Sequence, residues 1–418
     1  MISDFFSNMF SSQRRSKNFR NFWFGQCLSV IGTWIQRTAQ TWLVYKMTGS
    51  ALLVGILSAC QFVPILFLTL IAGTIIDRFP KRNILLLTQS GFLVLGAIMT
   101  ALVYFRVVRY WEILLIAIGY GIFQSFDTPA RQSFVFELVG PKDLLNGISL
   151  NSSVFNLAKI VGPSIAGILM AKFSIAACFL IDTCSYVAVL IGLFFVQNVP
   201  ATIRTAHKNV IRDMKEGLHY VIHTPAVRLS AELMLIVCTL EFNNSVIIPV
   251  YAKTVLHSGA QTFANLMSAV GIGSLAAAFT MSYRSKDGIS RKLYLIVTLG
   301  TVIAQSLMIF VHTYVMALVM MIIIGFCNMI FLNQSNASFQ YSVPNELRGR
   351  IMSVYVLLNQ GTTPLGSLYV GAIMDVTSGI WGFPACGLLA ILCLIPVVID
   401  QKSCCVNGLR QEDKFEAV

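Results

Sequence analysis

Long apolar runs alternate with short polar breaks along this chain, and the breaks set its architecture. Cut at charged or Pro/Gly-marked turns, the runs predict twelve helices, termed spans one to twelve: 19–46, 51–76, 83–106, 111–138, 143–171, 174–197, 226–256, 261–283, 291–311, 313–341, 346–375 and 379–400. Each has about the 20 mostly apolar residues that a bilayer-crossing helix needs. The longest hydrophilic connection follows span six, so the order is a tail (1–18), a bundle (19–197), a linker (198–225), a second bundle (226–400) and a tail (401–418). Within the linker Val210, Ile211, Met214, Leu218, Val221 and Ile222 recur at three- and four-residue spacing, which predicts an amphipathic helix on the membrane surface. The expected fold is an all-α integral membrane protein, with twelve transmembrane helices in two pseudo-symmetric six-helix bundles.

The halves look alike. Pro141-Lys-Asp-Leu144 opens span five as Pro344-Asn-Glu-Leu347 opens span eleven, and Gly162, Gly167 and Met170 are matched by Gly366, Gly371 and Met374. A parallel repeat of six helices is one known way to build a transporter.

Several spans carry polar rows. In span one Gln26, Ser29, Thr33, Gln36 and Gln40 share a face, with Arg37 alongside. Span four has Tyr120, Gln124, Asp127 and Arg131; span seven has Glu241 and Asn244; span ten has Asn333, Asn336 and Gln340. Unsatisfied polar groups are costly in lipid, so rows on spans one, four, seven and ten predict a central water-accessible cavity between the halves. Ser, Thr and Asn also join helices to one another, but that does not account for Arg37, Lys159, Asp182 and Glu241, ionisable groups deep in spans and hence functional candidates. Glu241, with no evident cationic partner, is the first candidate for proton coupling, and Asp182 the second. Lys159 and Asp182, on consecutive spans, are placed to meet, as a structural pair or as part of transport.

Composition sharpens this. Hydrophobic residues make up 56% and charged residues 11%, against roughly 25% charged in ordinary soluble domains, which excludes a soluble protein. The net charge of +12 is topological rather than a nucleic-acid footprint. Apart from Arg37 and Lys159 inside spans, only Lys46, Arg106, Arg109, Lys172 and Lys253 fall on one side; every other Lys and Arg falls on the other. By the positive-inside rule both termini are cytoplasmic in a multi-pass protein of the cell inner (cytoplasmic) membrane. The ten cysteines show no paired spacing, and His219 and His223 lack a third ligand, so neither disulfides nor a metal site are expected. The motifs G-x4-G-K-[ST], G-x-S-x-G and H-E-x-x-H are absent, so no ATP hydrolysis, enzymatic activity or cofactor is expected.

Between spans two and three, Gly73-x3-Asp77-Arg78-x3-Arg82 resembles the signature loop of the major facilitator superfamily. Gly32-Thr-Trp-Ile-Gln-Arg37, Phe126-Asp-Thr-Pro-Ala-Arg-Gln132 and Asn156-Leu-Ala-Lys159-x2-Gly162-Pro163-x2-Ala166-Gly167 look like its drug and siderophore exporter branch, which includes enterobactin-exporter-like and macrolide-efflux proteins. The likeness covers roughly residues 18 to 400. Pro80 departs from it, standing where the loop usually has glycine, and Ser149, Ala158 and Ala166 stand where the antiporter motif has glycine, although Gly162, Pro163 and Gly167 keep a close-packing motif in span five.

The resemblance implies the major facilitator fold and a latch of Gly73, Asp77, Arg78, Arg82, Asp127 and Arg131. In it Asp77 sits near the N-terminus of span eleven, and Arg78 or Arg82 pairs with Asp127. It further implies a secondary active transporter exporting an amphipathic small molecule, drug- or siderophore-like, by alternating access with proton antiport. The alternative is uptake or flipping of a lysophospholipid-like or nutrient substrate. The substrate cavity is expected at Gln26, Thr33, Gln36, Arg37, Gln40, Tyr120, Gln124, Lys159, Asn244, Asn333 and Asn336. Partners are the substrate, protons and the lipid bilayer, with the chain acting as a monomer.

Overall fold

A computed structural model of the protein describes residues 17–196, 210–283, 291–341 and 347–397. Every regular element among them is helical. Span one is Lys17–Thr48, span two Ala51–Arg78 and span three Lys81–Tyr104. Spans four and five form one hydrogen-bonded run, Tyr110–Lys172, interrupted only at Gly140, whose φ of 73° suits glycine and separates the two. Span six is Ile175–Phe194, and span eight is Ala260–Tyr283. Span nine is Arg291–Leu307 with a 3-10 turn, Met308–Phe310, span ten is Tyr314–Tyr341, and span twelve begins with the turn Gly379–Trp381.

Ten helices among the described residues are long and apolar enough to cross a membrane. Spans one and eleven are the exceptions. Span one carries the row of glutamines and Arg37, which lowers its hydropathy. Span eleven is split into Arg348–Val356, a π-helical turn Leu357–Gly361 and Thr363–Val376. Span seven is likewise split, into Pro225–Leu240 and Asn244–Thr254. Apolar periodicity predicted both as continuous, because it cannot register a local loss of backbone hydrogen bonds.

Helix ends are fixed by local chemistry. Ser50, preceded by Gly49 at a φ of 68°, accepts the Leu53 amide at 3.2 Å and starts span two; Ser174 accepts the Ala177 amide at 3.2 Å and starts span six. The turn at 79–80 and the helix Val210–His223 lie at one end of the bundle, here the loop end, and the turn at Gly49 lies at the other, the far end. Val210–His223 rests on Arg348–Val356, burying Val221 and leaving Leu218 and Ile222 exposed.

Among the described residues the first six spans meet the last six mainly along two seams, and the second piece of span seven also touches spans one and two. Span two runs antiparallel to span eleven, where a Cβ on Gly371 would come within 2.8 Å of Ala51 O and one on Gly55 within 2.4 Å of Ser367 O. Span five meets span eight, and Trp42 of span one stacks on Phe263 of span eight at 5.7 Å. In the motif of span five, Gly162 lies against Trp34 of span one, Pro163 is buried, and Gly167 lies against Ala264 of span eight. The two glycines therefore allow close approach on two sides.

Candidate functional site

The polar face of span one converges with spans two, four and six on a cleft lined by Thr33, Gln36, Arg37, Gln61, Phe62, Ile65, Tyr120, Gly121, Gln124 and Tyr186. At about 30 Å³ it has room for water and not for a substrate. Five of the residues expected in the cavity meet here: Thr33, Gln36, Arg37, Tyr120 and Gln124. Gln40 sits just beyond, accepting hydrogen bonds from Gln36 Nε2 at 2.7 Å and Gln61 Nε2 at 3.0 Å. Gln26 is buried on the same helix with its Oε1 unpartnered. Sequence reasoning missed Gln61, although a lone glutamine within an apolar span was a usable signal, and missed Tyr186, which had none.

Behind Arg37 lies Asp182, wholly buried, with Tyr186 as its hydrogen-bonding neighbour and no ion pair within 4 Å among the described residues. Tyr186 acts on it through that hydrogen bond and Arg37 through its charge, and Tyr120 feels its charge in turn. Span one approaches closely because residue 32 is glycine: a Cβ there would lie 2.6 Å from Ser185 Oγ and 3.0 Å from Asp182 Oδ1. Asp182 and Lys159 therefore do not meet. Lys159 points into the other half, where its Nζ donates to Ser274 Oγ of span eight at 3.4 Å. Consecutive spans touch along one strip only, and the rotation of each helix decides which side chains share it.

In the second half Asn333 and Asn336 are half-buried. Asn336 accepts from Gln340 and interacts with Tyr355, whose hydroxyl accepts from Asn359 Nδ2 at 3.4 Å. Asn359 belongs to the π-helical turn of span eleven, a feature frequent at functional sites. Glu241 stands at the break in span seven, wholly buried, with both carboxyl oxygens lacking hydrogen-bond partners. Gln305 Nε2 donates to its backbone carbonyl at 2.9 Å, and Cys386 of span twelve feels its charge. The Asn244 side-chain oxygen is also unpartnered.

The break is wedged by span eleven. Asn243 donates to Thr239 O at 2.7 Å and Leu240 O at 3.0 Å, and accepts from Ser367 Oγ at 3.0 Å. A Cβ on Gly366 would fall 1.6 Å from Thr239 O and 2.6 Å from Asn243 Nδ2. Gly366→Ala should therefore cost about 3 kcal/mol or more by overpacking against backbone, read as a fall in the thermal unfolding midpoint. An unchanged midpoint would mean that span seven yields freely at its break.

At the signature loop the structure redraws the expected pairing. Asp127, buried, accepts from Arg131 Nε at 2.9 Å and Nη2 at 2.5 Å, from Thr88 at 2.9 Å and from Gln89 at 2.7 Å. Arg131 is one helical turn away and already within reach, so Asp127 needs neither Arg78 nor Arg82. Arg82 instead donates to the carbonyls of Leu193, at 3.0 Å, and Phe194, at 3.3 Å, at the end of span six, where a cation suits the helix dipole. Lys81 forms a buried ion pair with Glu137 at 3.7 Å, and Arg78 is exposed. Gly73 and Asp77 belong to the helix Ala51–Arg78, but their surroundings lie outside the described residues.

The model of the transmembrane secretion effector family matches residues 10–407. The staphyloferrin A transporter of Staphylococcus aureus is 27% identical over 370 residues, covering 87% of this chain and 91% of that protein. The multidrug efflux pump Tap of Mycolicibacterium fortuitum is 28% identical over 357 residues, covering 82% and 86%. Among solved structures a D-xylose-proton symporter superposes with a TM-score of 0.67 over 93% of this chain and 97% of that one, at 15% identity. A peptide transporter does so with a TM-score of 0.72 over 93% and 95%, at 11% identity, which bears on the fold alone. The matched family, the twelve spans and the signature loop agree: the chain belongs to the transmembrane secretion effector family of the major facilitator superfamily, and it is a multi-pass membrane transporter, not an enzyme.

Proposed function

We propose that the protein exports an amphipathic small molecule, drug- or siderophore-like, across the cytoplasmic membrane by alternating access with proton antiport. The observation that carries this reading is the convergence of Thr33, Arg37, Tyr120 and Tyr186 on one cleft, backed by the buried carboxyl of Asp182. A cation facing the cleft and a buried carboxyl behind it that feels the same guanidinium give a site where substrate and proton compete through Arg37. Asp182 is favoured over Glu241 as the coupling group, because the groups that act on it line the cleft.

The named relatives, a siderophore transporter and a multidrug pump, support export of this substrate class. The crowding of Lys and Arg toward the loop end supports cytoplasmic termini. Asp77, Arg78 and the Asp127–Arg131 pair would then lie on the cytoplasmic side, where Asp77 near the start of span eleven would latch the halves. The test is to compare metabolites inside and outside cells with and without the gene. A siderophore-like or amphipathic compound should be retained inside deletion cells and released by complemented ones; depletion of such a compound inside deletion cells would establish uptake instead.

A further inference from the structure

At the far end of the bundle a carboxylate from the second half binds a helix start in the first. Asp375, at the end of span eleven, accepts from Ser50 Oγ, from the Ala51 amide at 2.6 Å and from the Leu52 amide at 3.2 Å. The first amides of a helix have no acceptor within it, and the helix dipole there favours an anion. Ser50 already caps span two through the Leu53 amide, so Asp375 completes the cap from across the seam. Immediately inward the same two spans are in near-backbone contact at Gly371 and Gly55, leaving no layer of side chains to absorb a small separation.

We propose that Asp375 is the outer latch of the transporter, a positioning residue that holds the halves together at the far end and must let go of span two whenever the cavity opens outward. The sequence resemblance places Asp77 at the loop end of span two, facing the start of span eleven. Asp375 is the converse, at the far end of span eleven and facing the start of span two. With the contact that the resemblance implies for Asp77, one antiparallel helix pair would carry a carboxylate at each end, and each side of the membrane would have its own closure; the bonds of Asp375 are the far-end half of that arrangement. The assignment rests on the alternating-access reading above, but not on substrate or coupling ion.

The test is hydrogen–deuterium exchange on the purified full-length protein, comparing wild type with Asp375→Ala, Asp375→Asn and Ser50→Ala. Exchange in the far-end segments of spans two and eleven (51–57 and 367–376) should rise at least about tenfold in Asp375→Ala, equivalent to about 1.4 kcal/mol of lost protection. It should rise together with exchange in the far-end segments of spans five and eight (164–172 and 260–266), which Asp375 does not touch, while spans three and nine stay unchanged. Ser50→Ala and Asp375→Asn, each removing part of the set, should give the same pattern at smaller size, and they carry the test if the alanine variant does not fold. Acceleration confined to 50–54, or none, would reduce Asp375 to a local cap and overturn the proposal. Loss of export with unchanged exchange would also overturn it, whereas coupled exchange without proton dependence of transport would leave the latch standing and remove the antiport reading.

Discussion

Asp182→Asn is expected to uncouple transport from the proton gradient. Substrate release driven by an imposed gradient should fall at least about tenfold, a change of about 1.4 kcal/mol in the barrier, while exchange of substrate at equal concentrations across the membrane persists. The reasoning is electrostatic. Asp182 is wholly buried, and its interactions run to Tyr186, by a hydrogen bond, and to Arg37, by charge, both at the cleft. Asparagine keeps the shape against Gly32 but can neither take up a proton nor neutralise Arg37. A charge so buried matters through its partner: with the carboxylate gone, Arg37 is left to the substrate alone, and anionic substrates should bind at least as well as before. Proton uptake measured with a pH-sensitive dye in proteoliposomes decides the matter. Wild-type proton movement in this variant would remove Asp182 from the coupling role, and Glu241→Gln would then be the next variant to make.

The largest loss of stability is expected from Asp127→Ala, about 3–5 kcal/mol. Asp127 is 1% exposed and takes hydrogen bonds from three side chains, two of them on span three. Deleting it leaves Arg131 as a largely buried cation without its counter-charge and leaves the Gln89 amide without its acceptor, while Thr88 keeps only the Leu85 carbonyl at 3.2 Å. Breaking such a pair from one side costs far more than the pair itself contributes. Gln89 is the sharpest part of the cost, because its Oε1 is already unpartnered. Thermal unfolding in detergent should show a lower midpoint, and Asp127→Asn, which keeps one acceptor oxygen, should fall between. A midpoint for the alanine variant within a degree of wild type would mean that water satisfies Arg131 in place of the carboxylate.

The helical pattern was legible because it is local. Each span is declared by some twenty consecutive residues, and the row from Gln26 to Gln40 by spacing along one helix, so neither needs knowledge of any other element. The same holds for Thr33, Gln36, Arg37, Tyr120 and Gln124, which the cleft brings together as their faces implied. Even the exclusion of a soluble protein follows from composition alone.

Partners were a different matter. Asp127 was expected to reach for the arginines of the loop, yet Arg131 lies one turn away on the same helix and Arg82 finds the open carbonyls of span six. Lys159 and Asp182 sit on consecutive spans but face opposite ways. The break at Glu241 and the π-helical turn at Asn359 leave no mark on hydropathy, since they depend on span eleven pressing Gly366 against Thr239 and on side chains such as Asn243 taking over backbone hydrogen bonds. Nor did Asp375 stand out in the sequence, as one carboxylate at a span end among several.

Hydrophobic periodicity and the spacing of a short charged turn act over a few helical turns, so the all-helical membrane fold, the polar faces of the helices and the superfamily were legible in the chain alone. Which charges pair, where two spans lose their regular helix and which helix start Asp375 caps came from the packing of the helices. Those outcomes depend on the rotation and register of helices brought together from distant parts of the chain, where about 1.5 Å of slide moves a side chain by one residue and gives it a different partner.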